Sequence, residues 1–209
     1  MRGAAPPQVT RRRNAKVDGD ARATILDAAE RLFASSGFDA TSTAAIARAA
    51  GVPKGLVFYY FPAKESILTV LLAERVPRYG VENIELLVSP GDPAASLINL
   101  DTAINLRDHR SAVLRVILWR EAATHPDVRN QLRQMRTQLF EATVRVLQAS
   151  APAPVQPATL RACAATWVSA MLSVASTDRL RAMDGLTRTA NDELDRVARV
   201  VAAGMVQLG

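Results

Sequence analysis

A chain of 209 residues with 49% apolar residues and a net charge of +6 has room for one large domain, or for a small one joined to a larger one. No apolar stretch reaches 18 residues without a charge, and even Ala112 to Trp119 is broken by Arg115, so no transmembrane helix is expected. No apolar segment follows the N-terminal arginines and Cys163 is the single cysteine, which predicts no secretory signal, no intrachain disulfide and no multi-cysteine metal site.

Residues 1–19 combine Pro6, Pro7, Gly3 and Gly19 with Arg2, Arg11, Arg12, Arg13 and Lys16. They show no hydrophobic periodicity and predict a disordered basic arm, either a phosphate footprint or a solvated tail. Asp20 is placed to cap a first helix, whose apolar stripe is Ile25, Leu26, Ala29, Leu32 and Phe33. Gly37 ends it, and Phe38 is expected to fold back onto the same core. Ser42 is the expected N-cap of a second helix with Ile46, Ala47 and Ala50 inward. Gly51 makes a turn, and Pro53 sits in the first turn of a third helix, Lys54 to Tyr60. Pro62 ends that helix. Lys64 opens a fourth, a linker through Ile67, Leu68, Leu71 and Leu72 to about Arg78.

Five more helices are expected: Pro93 to Arg107, Ser111 to Thr124, Asp127 to Ser150, Thr159 to Met183 and Asn191 to Leu208. No strand pattern appears. The fold class is all-α, with about nine helices. Residues 1–19 form the arm, 20–66 a small three-helix domain, and 67–209 a larger helical domain.

Two short helices around a glycine turn, the second ending in aromatics, have the layout of a helix-turn-helix, whose second helix enters the DNA major groove. Lys54, Leu56, Tyr59 and Tyr60 have the spacing of an outer face. Lys54 suits guanine O6 and N7 or a phosphate, and Leu56 suits a thymine methyl. Gly55 admits the backbone to the duplex, and the tyrosine hydroxyls suit phosphate oxygens. Ser42 and Thr43 open helix two where amides and hydroxyls favour a phosphate, and Lys64 is placed to do the same. Phe58 and Phe61 are expected in the three-helix core.

Residues 22–68 resemble the DNA-binding domain of the TetR/AcrR family of bacterial transcription regulators. The resemblance rests on Arg22, Ile25-Leu26, Ala28-Ala29, Leu32-Phe33, Gly37-Phe38, Thr41, Ile46-Ala47, Ala50-Gly51-Val52, Gly55, Tyr59, Phe61 and Lys64-Glu65. It implies a homodimer on a near-palindromic operator, most simply a repressor, released when the large domain takes a small-molecule effector. Two positions depart from the family pattern. Phe58 stands where tyrosine is usual, and Ala44 where a long polar side chain is common. Sparse direct base readout is therefore expected, with DNA shape and the arm contributing more.

In the larger domain, Asp101 and Asn105 interrupt an apolar stripe, so Asp101 is expected to pair with an arginine such as Arg115 or Arg120, or to meet a cationic ligand. Trp119 is either a ligand-stacking residue or core. These three make the candidate effector site. His109 and His125 lack a second metal ligand at useful spacing and read as structural. Neither metal nor cofactor is expected. Leu160, Ala164, Trp167, Val168 and Met171 form one stripe, and Leu194, Val197, Val201 and Met205 another, together the expected dimer interface. A cytoplasmic location is expected. The competing reading is a helical small-molecule-binding protein or enzyme without sequence-specific DNA binding, but no poised nucleophile, metal cluster or carboxylate pair stands out.

Overall fold

The computed structural model describes residues 9–76, 83–187 and 192–207, and among them the chain is all-α. The helices are α1 (Val9–Ser36), α2 (Thr43–Ala50), α3 (Lys54–Tyr60), α4 (Lys64–Arg75), α5 (Pro93–Ile104), α6 (His109–Glu121), α7 (Pro126–Ser150), α8 (Pro157–Met183) and α9 (Asp192–Gln207), with one 3-10 turn at Ile84–Leu86. The chain forms two compact units. The first is Met1–Val76 with Val116–Val128; the second is Pro77–Arg115 with Arg129–Gly209.

Helix α1 begins at Val9, not at Asp20, so Arg11 to Arg13 are helical and the predicted arm loses most of its length. Arginine, alanine and lysine are good helix formers, and they carry the helix through Gly19 at a cost of only about 1 kcal/mol. Residues 1–8 lie outside the described residues. Further along, α1 buries Ile25, Leu26, Ala28, Ala29 and Phe33. It ends at Gly37, whose φ of 88° suits glycine.

Ser42 caps α2 as expected, accepting from the Ala45 amide at 3.0 Å. Gly51 closes the helix in the left-handed region, donating to Ala47 and Arg48 carbonyls. Helix α3 has seven residues and buries one of them, Val57. Phe61, at its C-terminus, is 2% exposed and belongs to the core; Phe58, expected beside it, is 44% exposed. Phe58 lies about 100° round the helix from Val57, on the exposed side of this short helix.

Helix α4 belongs wholly to the first unit. Ile67, Leu68, Leu71 and Leu72 are buried, and its last residues are tied to α1. Arg75 Nη1 lies 2.6 Å from Glu30 and 2.7 Å from Asp27, and Arg22 makes a two-pronged pair with Glu74. Burial pulls the Arg75 guanidinium down, but hydrogen bonds with Glu30 and Asp27 outweigh it and push the group above its ordinary value. The hydrogen bond from Arg22 holds the Glu74 carboxyl below its usual range. The Arg22 tie is thus complete at neutral pH and is lost as pH falls through that lowered value. The boundary expected at residue 66 therefore falls at 76, and residues 116–128 return to the first unit.

In the second unit, Asp92 caps α5 by accepting from the Ala95 amide at 2.9 Å, and Pro93 opens the helix. Asn105 stops it at a φ of 48°, before the expected Arg107. Ile84, Leu100, Ala142 and Val146 form one core cluster. Helix α8 packs on α9, with Cys163 Sγ 3.7 Å from the Val201 carbonyl. Leu160, Ala164, Trp167, Val168, Met171, Leu194, Val201 and Met205 are all buried within the protomer, and Val197 is half-buried. They are core residues, not the dimer surface expected of them. Each stripe is satisfied by packing inside its own unit. Helix α8 has the length and hydropathy of a membrane span over 157–182, but its uncharged run from 162 to 177 is shorter than 18 residues and its apolar face is this core.

Candidate nucleic-acid interface

The outward surface of the first unit is built on α2 and α3. Three residues separate the helices, and Val52 N–H returns to the Ala47 carbonyl at 3.0 Å, which locks the turn. At about 100° per residue, Lys54, Gly55, Phe58 and Tyr59 share one arc, and all four are exposed. Tyr59 is 73% exposed and meets Tyr60 edge-on with ring centroids 5.0 Å apart. Leu56 and Tyr60, expected on the outer face, are half-buried on its flank. Ser42 is exposed and Thr43 half-buried at the start of α2.

Charge on this surface has one sign. From Ala40 to Ala63 the only charged residues are Arg48 and Lys54, both exposed. A duplex surface of phosphates is complementary to such a face. Around Gly55 an added Cβ would meet nothing within 4 Å, so the protein leaves this point of α3 open.

Lys64 is employed differently from its expectation. Its ammonium donates to the Phe38 carbonyl at 2.8 Å and lies 4.1 Å from the centre of the Phe38 ring. The lysine is held against the α1–α2 turn by a hydrogen bond and a cation–π contact. It is a brace for that turn, not a free phosphate ligand.

Residues 25–71 match the family model "Bacterial regulatory proteins, tetR family". Segment 25–71 of the first unit is thus similar to this family. The chain is 34% identical over 79 residues to the HTH-type transcriptional regulator AcrR of Shigella flexneri, covering 37% of each chain. It is also 34% identical over 90 residues to the HTH-type transcriptional regulator EthR of Mycolicibacterium smegmatis, covering 41% of each. The matches span less than two thirds of the length of these curated relatives. A TetR-like transcriptional regulator from Rhodococcus sp. RHA1 has the same fold over 90% of this chain and 96% of its own, with a TM-score of 0.65 at 22% identity.

The first unit includes a part far outside the matched segment. Within the unit, Glu121 is 4% exposed and accepts from the Phe38 amide at 3.0 Å. Its other oxygen lies 3.7 Å from His125 Nδ1, and the His125 ring meets Phe38 edge-on at 4.6 Å. Arg120 donates to the Phe33 and Ala34 carbonyls, 3.3 Å each, in the last turn of α1, where the Phe33 carbonyl also accepts from the Gly37 amide at 3.0 Å. The α1–α2 turn is thus held by Lys64 of α4 and by Glu121 of α6. Replacing Glu121 by alanine would strand a buried amide, at a cost of ~1–3 kcal/mol. Glu121→Gln retains an acceptor and is expected to recover most of that loss, as denaturant unfolding of the two full-length variants would show.

The expected effector residues do not form a site. Trp119 lies in the first unit and is 58% exposed, because α6 turns Ile117, Leu118 and Glu121 inward. Asn105 is exposed and serves as the left-handed C-cap of α5, a role asparagine fills more easily than most residues. Asp101 is buried and faces Arg107 at 3.9 Å, not Arg115 or Arg120. The same guanidinium lies 3.6 Å from Asp178. Burial raises the Asp101 carboxyl, with Arg107 opposing the rise and Asp178 adding to it. Arg115 instead donates to the Leu106 carbonyl. Two hollows of the second unit, about 610 and 440 Å³, share the Pro152–Val155 loop, and neither is lined by these residues.

Sequence reasoning missed Glu121, Arg120 and Phe58. Nothing in the pattern around a single glutamate in an apolar helix tells which distant amide it will meet.

Proposed function

We propose that this chain is a DNA-binding transcriptional regulator of the tetR type that binds a near-palindromic operator as a homodimer. It acts as a repressor in the cytoplasm and is released by a small-molecule effector held in the second unit. The observation that carries the reading is the exposed, acid-free face of α3 and α2. Lys54, Gly55, Phe58 and Tyr59 project from a helix too short to be stable alone. Lys54 contacts guanine or phosphate, Tyr59 and Tyr60 contact phosphates, and Ser42 and Thr43 bind phosphate at the start of α2. Leu56 and Gly55 let the helix lie close to the base edges.

With the apolar stripes of α8 and α9 internal, the dimer contact falls on their outer faces. On α8 these carry Ala162, Ala165, Ser169 and Ser173, all exposed, and small side chains let helices approach closely. On α9, Val200 and Val206 are 71% and 72% exposed, with exposed Ala203 on the same side. Two-fold symmetry then sets the half-sites one helical turn or a multiple apart. The effector acts by binding better to one spacing of the two reading helices than to the other.

Selection of bound sequences from a random DNA pool at near-physiological salt tests this reading. An enriched palindrome is expected, and a pool that stays random sinks it. On the enriched duplex, Lys54→Ala is expected to weaken binding by ~1–3 kcal/mol without changing the fold, measured by titration with labelled DNA. Unchanged affinity would remove α3 from the interface.

A further inference from the structure

Phe58 is the largest apolar side chain on the exposed arc of α3, and the hydrogen-bonding inventory of that helix is short. Lys54-Gly55-Leu56-Val57-Phe58-Tyr59-Tyr60 contains no Asn, Gln, Arg, Asp, Glu, Ser or Thr. It therefore lacks the side chains that read adenine with two hydrogen bonds, the fork that reads guanine with two, and the acceptors that read cytosine. Lys54 and the tyrosine hydroxyls are its only side-chain polar groups. Phe58 stands between Lys54 and Tyr59 on the arc, 44% exposed, with the Lys54 ammonium 5.6 Å from its ring centre. Gly55 beside it presents no side chain.

Base edges in the major groove offer one apolar group, the 5-methyl of thymine. We infer that Phe58 is the specificity-determining residue of the reading helix, and that it selects thymine by packing its ring against that methyl group. This assignment rests on the DNA-binding reading above and deepens it. Leu56 is a poorer candidate for the contact, since it is half-buried at the flank of the arc. Val57 is excluded by complete burial. Lys54 leaves the ring for guanine or a phosphate when DNA arrives, and the ring face it covered becomes the contact. The operator half-site is accordingly expected to hold a thymine within one or two base pairs of the Lys54 contact.

The test removes the methyl group and nothing else. Each thymine of the half-site in the selected operator is replaced in turn, in both half-sites, by deoxyuridine, and the full-length protein is titrated against each duplex. At one position the loss is expected to be about fourfold per half-site, the weight of one buried methyl group, or about fifteenfold for the symmetric pair. Phe58→Ala is expected to bind the thymine duplex more weakly and no better than the uracil duplex. Phe58→Leu, which keeps an apolar contact, is expected to retain part of the discrimination, and both variants should keep the parent unfolding midpoint.

A parent protein that selects an operator yet ignores uracil at every position overturns this assignment alone. So does a Phe58→Ala variant that still discriminates as strongly as the parent, because another residue then reads the methyl. A parent that enriches no sequence overturns the DNA-binding reading and this assignment with it.

Discussion

Replacing Arg75 by alanine is expected to destabilise the chain by about 3 kcal/mol, the scale of breaking a buried ion pair. The side chain of Arg75 is 10% exposed and that of Glu30 is 12% exposed, with 2.6 Å between them. A second carboxylate, Asp27, is 2.7 Å from the same nitrogen, and Arg75 Nη2 donates to the Ala23 carbonyl. Removing the guanidinium leaves Glu30 charged and poorly solvated, which is where most of the cost arises. Arg75→Lys keeps a charge but loses the planar fork, so an intermediate loss is expected.

Restoring neutrality with Glu30→Leu beside Arg75→Met should recover stability, which separates the cost of a stranded charge from the worth of the pair itself. Arg22→Ala is the control. Arg22 and Glu74 are 36% and 47% exposed, so that loss should stay within ~1 kcal/mol. Denaturant unfolding of the full chain measures all four variants. If Arg75→Ala costs no more than Arg22→Ala, the end of α4 is held to α1 by its leucines alone.

The ends of α2 and α3 were legible because their signals are local. Ser42, Gly51 and Pro62 each act on a backbone within a few residues, through a cap, a left-handed turn and a restricted dihedral. The all-α class followed from stripes at helical spacing, and α3 from its glycine turn and proline start. What the sequence left hidden depends on partners distant along the chain. Lys64 looked like a phosphate ligand until Phe38, 26 residues away, supplied its carbonyl and ring. Asn105 looked like a pocket residue because its i+4 spacing from Asp101 assumed that the helix continued, whereas the chain turns at Asn105 itself. Trp119 and Glu121 are two residues apart and face opposite ways, one to solvent and one to the Phe38 amide. An apolar stripe states that a face is buried and is silent about what buries it, which is why the stripes of α8 and α9 were assigned to a partner subunit.

That ambiguity sets up the second large effect, on a pair of neighbouring residues in α8. Trp167 is fully buried, and Trp167→Arg would place a charge in an apolar core, at a cost above ~4 kcal/mol. The second unit is expected to unfold, with loss of helical signal and of the cooperative transition. Ala165, two residues earlier, is exposed, and Ala165→Arg should leave protomer stability within ~0.5 kcal/mol. A bulky charge there blocks the close approach of a second α8, so sedimentation should show folded monomers. On the proposed reading both variants are expected to lose operator binding, but for different reasons. The first has no intact second unit, while the second has intact protomers that each reach one half-site and forfeit the gain from linking two contacts. Raising the concentration of Ala165→Arg should therefore restore binding, and no concentration of Trp167→Arg should. A folded, dimeric Ala165→Arg with full affinity would move the subunit contact off α8, and a folded Trp167→Arg that is merely monomeric would return it to the buried stripe.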